Sequence, residues 1–212
     1  MKNIKLVIFD LDGTLINAFA AINISFNYTM HRLGYPQQAG QTIRRAVGWG
    51  DKFLLKPFLL SEDCNKGLLI YRRHHKKALL KDSKLYPGVR RLLIYLRSKG
   101  YFLAIASNRP SFFSRLLIKH HGLERYFSSI VCADTLKQGK PHPQILQRSI
   151  EKFSLCPSEA VFVGDMLIDA QTGRRAKIKT IIVLSDSGIR SEIQKQKPFR
   201  IIKRITSLFR IL

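Results

Sequence analysis

Short apolar runs punctuate this chain at intervals that suit buried strands. They fall at residues 5–10, 101–107, 129–133, 160–164 and 180–184, each bounded by polar or turn residues. Runs of that length, with little polar alternation, read as strands covered on both faces. Between them the period changes. Val89, Leu92, Leu93 and Leu96 recur at helical spacing over 89–99, and Gly100 follows as a stop. Residues 111–121 and 143–153 read as helices in the same way. Strands alternating with helices predict an α/β domain with a parallel, Rossmann-like sheet flanked by helices.

One segment breaks the alternation. From about residue 17 to residue 82 no convincing strand is present, and helices are expected to break at Gly34-Tyr35-Pro36 and at Gly48-Trp49-Gly50. The expected organisation is an α/β core of residues 1–16 and 83–212 with an inserted α-helical cap at 17–82. The end of the chain is basic and partly apolar. It is expected to form a last strand at 200–203 and a terminal helix at 206–212 rather than a membrane-surface helix.

Composition narrows the class. The 212 residues and a 45% hydrophobic content suit one domain with an insert. No run is long enough to span a bilayer and no secretory leader is evident, so a cytoplasmic protein is expected. Cys64, Cys132 and Cys156 match no zinc pattern, and reduced, mostly buried thiols are expected. The formal charge of +23 gives a field that attracts anions, from metabolites to nucleic acid. The bases are spread along the chain and no nucleic-acid motif accompanies them, so a generally basic surface is the preferred reading.

Acid is scarce, 14 residues against 37 Lys and Arg, so its placement carries information. The first strand runs into Asp10-Leu11-Asp12-Gly13-Thr14-Leu15. The second ends at Ser107-Asn108, and the fourth at Gly164-Asp165, with Asp169 one turn later. Lys140 lies after the third, in Gly139-Lys140-Pro141-His142-Pro143. In an open parallel sheet these strand ends share one edge, where sites form.

Each residue type suits phosphoryl chemistry. Asp10 can act as nucleophile and form an acyl phosphate that water cleaves. Carboxylates and a phosphate repel one another, so a hard oxygen-binding cation such as Mg²⁺ is needed. Asp10 and Asp165 are its natural ligands, with Asp169 as a further ligand or a support. Lys140 supplies a fixed positive charge. Ser107 and the loop amides near Asp12 and Asn108 can hold phosphoryl oxygens. Gly13 permits the backbone turn. Asp12 can face the leaving oxygen as acid/base, coupled to Asp10.

These four motifs, in this order, resemble those of the haloacid dehalogenase superfamily. The resemblance covers essentially the whole chain, and residues 17–82 are similar to its C1 cap. Within the superfamily the chain looks like the phosphoglycolate phosphatase-like group, through Leu33-Gly34, Val47-Gly48, Pro87-Gly88-Val89 and Lys140-Pro141-His142-Pro143. The resemblance implies a nucleophilic Asp10, an acid/base Asp12 and Mg²⁺ held by Asp10, the Asp12 carbonyl and Asp165. Dehalogenases of the superfamily lack the second aspartate, so Asp12 argues for phosphoryl transfer. The chain departs from the group at Asn17-Ala18, where Asp and Ser or Thr are usual, at Met166, and at Lys177, where Gly is usual.

The expected activity is therefore Mg²⁺-dependent hydrolysis of a small phosphomonoester such as phosphoglycolate, a sugar phosphate or a nucleotide. A phosphoglucomutase-type transfer, a pyrophosphatase, and a nucleic-acid or anionic-surface binder on the same fold are the alternatives. In the cap, Trp49 can face the site or belong to the core. Arg44 and Arg45 can hold a substrate anion or form a solvated pair. The pairs His74-His75 and His120-His121 are expected at the surface, because neighbours on a helix point apart. Oligomeric state is left open.

Overall fold

A computed structural model describes residues 3–185 and 189–212. Six parallel strands form the main sheet: β1 (Leu6–Phe9), β4 (Phe102–Ser107), β5 (Ser129–Cys132), β6 (Ala160–Gly164), β7 (Lys179–Val183) and β8 (Arg200–Ile202). Their order across the sheet is β5-β4-β1-β6-β7-β8. Two further strands, β2 (Ile16–Asn17) and β3 (Lys84–Leu85), pair antiparallel as a small ribbon that the apolar pattern does not reveal. The strands expected from the sequence are all present, so the α/β sheet is as anticipated. The terminal helix is instead a 3-10 segment, Ile205–Arg210.

The sheet is apolar on both faces because helices cover both. Val7 and Phe9 of β1 join Leu103, Ile105, Val161 and Val163 in one cluster. That cluster meets α5 (Val89–Ser98) and α6 (Ser111–His120). Leu6 and Ile8 point the other way, with Ala104, Ala106 and Phe162, onto α7 (Gln144–Glu151). This is the period of two expected of a strand. α8 (Leu167–Arg175) and α9 (Arg190–Lys195) complete the covering. Lys177, after α8, takes φ 57 where glycine is the easier residue.

The two strands of the ribbon bracket a helical stretch with its own apolar cluster. It contains α1 (Phe19–Leu33), α2 (Gly40–Ala46), α3 (Asp51–Leu55) and α4 (Cys64–Asp82). Ile22, Phe26, Met30, Ile43, Leu54 and Tyr71 fill it. α1 ends at Gly34, which caps it at φ 78. No helix among the described residues is long and apolar enough to cross a membrane. The three thiols are free, but only Cys132 is buried; Cys64 is half-buried and Cys156 exposed, a correction to the expectation of mostly buried cysteines.

Two parallel pairings set the position of the site. Phe9 of β1 lies opposite Ile105 of β4 and Val163 of β6. One step beyond, all three strands reach the same edge of the sheet. β1 is also where the strand order departs in both directions, the place where open α/β sheets leave a crevice.

Candidate active site

Asp10, Asp165 and Asp169 converge at that edge, each buried, with one carboxylate oxygen apiece lying within 4.8 Å of the others. The Asp10 amide donates to Val163 O (2.8 Å), which stitches the start of the loop to β6. Thr14 Oγ1 donates to Asp165 Oδ1 (3.3 Å), and Ser185 Oγ donates to Asp165 Oδ2 (2.7 Å). Asp169 Oδ2 accepts the amides of Asp165 and Met166, at 3.1 and 3.0 Å. Its place in the first turn of α8 brings it back onto the end of β6.

Lys140 answers this charge. Its Nζ donates to Asp10 Oδ1 and to Asp169 Oδ1, both at 2.7 Å. Burial by itself lowers the lysine, but attraction from Asp10 and then Asp169 outweighs it, and the group is held above its ordinary value. One ammonium does not neutralise three carboxylates. Burial, and then repulsion from Asp169 and Asp10, raises Asp165 well above the usual range. Burial likewise raises Asp10, to about 7, against the pull of Lys140. A cluster of hard oxygen donors with unbalanced negative charge suits a divalent cation such as Mg²⁺.

Gly13 takes φ 80 and packs against the Asp165 carboxylate so closely that a Cβ there would collide with it. Ser107 is buried, and its Oγ accepts the Arg109 amide (3.2 Å). Asn108 is a brace. Its Nδ2 donates to Gly48 O (2.9 Å) and Lys140 O (3.0 Å), and its Oδ1 accepts the Lys140 amide (2.8 Å). The side chain is committed to holding three segments together, so the backbone is the part of Asn108 left to meet a phosphate.

Asp12 lines the same pocket as the cluster and pairs with a partner that the sequence reading missed. Arg109 Nε donates to Asp12 Oδ2 (2.7 Å) and Nη2 to Asp12 Oδ1 (2.8 Å), a two-pronged pair. Arg109 Nη1 lies 2.8 Å from His75 Nε2. His75 is therefore not a surface residue. It is 1% exposed, stacked on Tyr71 and set edge-on to Phe113. His74, its neighbour, stacks on Tyr28, and His121 meets Ser83. The available signal was the position of Arg109, directly after Ser107-Asn108 at a strand end.

A pocket opens over this edge, and the helical stretch supplies its far wall. Arg44 lines it, its guanidinium 3.6 Å from the centre of the Phe19 ring. Arg45 is exposed and does not line it. Trp49 is corrected on both counts: 49% exposed, it neither lines the pocket nor joins the core. The glycines beside it make the approach instead. Gly48 and Gly50 adopt φ 110 and 93, Gly48 bonds to Asn108, and a Cβ on Gly50 would lie 3.1 Å from Asn108 O. The backbone faces the core and the indole turns outward.

The chain is similar to known proteins over most of its length. Residues 7–183 match the family model for haloacid dehalogenase-like hydrolases. A phosphoglycolate phosphatase of Nitrosospira multiformis is 34% identical over 82% of this chain and 80% of its own. One from Nitrosococcus oceani is 27% identical over 100% of this chain and 98% of its own. A crystal structure of a predicted phosphoglycolate phosphatase from Haemophilus somnus superposes with a TM-score of 0.93 at 26% identity, covering 100% of this chain and 99% of that one.

Proposed function

We propose that this chain, which belongs to the haloacid dehalogenase-like hydrolases and to their phosphoglycolate phosphatase-like group, is a Mg²⁺-dependent phosphatase working through a phosphoaspartate on Asp10. The observation that carries the reading is the buried set of Asp10, Asp165 and Asp169 bridged by Lys140, with Asp12 two residues from Asp10. A set of this kind is costly to bury unless it binds something charged.

In the first step an Asp10 oxygen attacks phosphorus, a P–O ester bond breaks, and Asp12 gives a proton to the departing oxygen. In the second step Asp12 takes a proton from water, the water oxygen attacks phosphorus, and the Asp10–phosphorus bond breaks to release phosphate. Lys140 fixes the attacking carboxylate and balances charge at phosphorus. Ser107 and the backbone beside Gly13 and Asn108 hold the phosphoryl oxygens. Asp10, Asp165 and the Asp12 carbonyl would hold Mg²⁺, which would supply further positive charge to the reaction. Asp169 supports the site by fixing Lys140 and the start of α8.

We read residues 17–82 as a cap that covers the site. Its separate apolar cluster and its contribution of Phe19, Arg44 and Gly48 to the pocket support this. The substrate is a small organic phosphate with a second anionic group, phosphoglycolate first among the candidates. Both phosphoglycolate phosphatase relatives and the presence of Arg44 in the pocket favour it.

The test is hydrolysis of an aryl phosphate with Mg²⁺ and with chelator, for the wild type and Asp10→Asn. Metal-dependent turnover absent from the variant is expected, followed by preference for phosphoglycolate in a metabolite panel. Silence of the folded wild type across the panel would sink the reading. An obligatory bisphosphate activator would replace it with a mutase.

A further inference from the structure

We propose that His75 is a positioning residue that orients the Asp12 carboxylate through Arg109. The inference rests on the reading of Asp12 as the group that handles the proton.

The direction of the hydrogen bonds follows from chemistry. A guanidinium has donors only. His75 Nε2, 2.8 Å from Arg109 Nη1, is therefore the acceptor and carries no proton. The ring is neutral, and its one N–H is on Nδ1. That nitrogen lies 3.2 Å from Ser25 Oγ, which accepts. The Ser25 hydroxyl then donates to His74 Nδ1 at 3.1 Å. The bonds diverge from Arg109 after β4: one arm donates to His75 on α4, which donates in turn to Ser25 on α1, and the other donates to Asp12 after β1. Burial, followed by the adjacent Arg109 charge, pushes His75 down to about 2, in keeping with a ring that stays neutral.

The arrangement fixes the guanidinium at three points. Two are on Asp12, and the third is the imidazole. The imidazole plane is itself clamped, with the Tyr71 ring 4.7 Å away at 24° and the Phe113 ring 5.4 Å away at 70°. Without an acceptor at the Nε2 position, a buried N–H of Arg109 is left unpaired. The guanidinium then turns to satisfy it, and the carboxylate it grips turns as well. The position of α4 on the sheet is in this way transmitted to the acid/base oxygen. A ring that only filled space would be replaceable by phenylalanine. A ring that accepts a hydrogen bond is replaceable by glutamine, whose side-chain oxygen can occupy the Nε2 position.

The test compares His75→Phe and His75→Gln with aryl phosphate as the probe. The expected result is a loss of about tenfold in kcat for His75→Phe, with KM within about twofold of wild type. His75→Gln should recover most of the loss. Unchanged kcat in His75→Phe, or an equal loss in both variants, overturns the inference. If the wild type itself does not turn over, the phosphatase reading falls and the inference with it. A measurement that needs no turnover accompanies these. Long-range ¹H–¹⁵N spectra at pH 7 should show His75 as the neutral Nδ1–H tautomer in the wild type, and no longer as that tautomer alone in Arg109→Met. An Nε2–H tautomer or an imidazolium in the wild type overturns it too.

Discussion

Lys140 and Asp10 are 130 positions apart in the chain and meet at 2.7 Å beneath the mouth of the pocket. The pair has little access to water, with side-chain exposures of 3% and 9%. Lys140 also bonds Asp169, so removing the lysine is costly because it leaves two buried carboxylates without their cation.

Lys140→Met should keep the packing and remove the charge, leaving Asp10 and Asp169 without their shared cation. Activity should fall at least about a hundredfold. Stability should fall by about 3 kcal/mol near neutral pH, as for other broken buried pairs. The deficit should shrink as pH falls below about 7, where Asp10 takes up a proton. Urea unfolding at pH 5 and pH 8 checks both the size and the sign.

Metal and pH should act on stability in opposite directions. Asp10 is held at about 7 and Asp165 is also raised, while an unfolded aspartate titrates near 3.9. Between those values the folded state binds more protons than the unfolded one. Metal-free protein should therefore lose stability as pH rises from about 4 to about 7, by about 1 kcal/mol per pH unit for each ionising carboxylate. Mg²⁺ at pH 8 should restore it, because it binds the ionised folded site. Asp10→Asn should be more stable than wild type without metal at pH 8 and less responsive to Mg²⁺. Thermal melts with metal and with chelator decide the matter.

Gly13 and Gly34 offer a controlled comparison. They share nearly the same backbone angle, φ 80 and 78. A Cβ on Gly34 meets nothing within 4 Å, while one on Gly13 runs into the Asp165 carboxylate. Gly34→Ala should cost about 1 kcal/mol from backbone strain alone. Gly13→Ala should cost more than that and should weaken Mg²⁺ binding, read by a thermal-shift titration. Equal costs would show that the contact with Asp165 is unimportant.

Arg44 and Arg45 are neighbours with different surroundings. Arg44→Met should raise KM for a substrate with a second anionic group about tenfold, the worth of a charged hydrogen bond. Arg45→Met should leave KM within about twofold. Steady-state kinetics with phosphoglycolate and with an aryl phosphate distinguishes lost anion recognition from general damage, since only the former spares the aryl substrate.

The apolar runs were enough to find five of the six strands of the main sheet, because a strand buried on both faces must be apolar throughout; β8, with Arg200 exposed, was expected instead from the basic, partly apolar end of the chain. The same logic located Asp10, Ser107, Lys140, Asp165 and Asp169, which stand at or just beyond strand ends, and parallel strands in register deliver their ends to one edge. Local sequence could not show what lies opposite each residue. Arg109 finds Asp12 across 97 positions and His75 across 34. The first meeting rests on the pairing of β1 with β4, and the second on where α4 packs against the end of β4. The adjacency of His74 and His75 suggested that they point apart to the surface, yet both rings reach the Ser25 hydroxyl, and which of them became buried depended on where α4 came to rest. Trp49 shows the same limit, since the glycines on either side, and not its own size, decided that the backbone would turn inward. The strands and their chemical ends follow from periodicity within a few residues, whereas the pairing of Asp12 and the lining of the pocket follow from contacts between segments that the folded chain alone brings together.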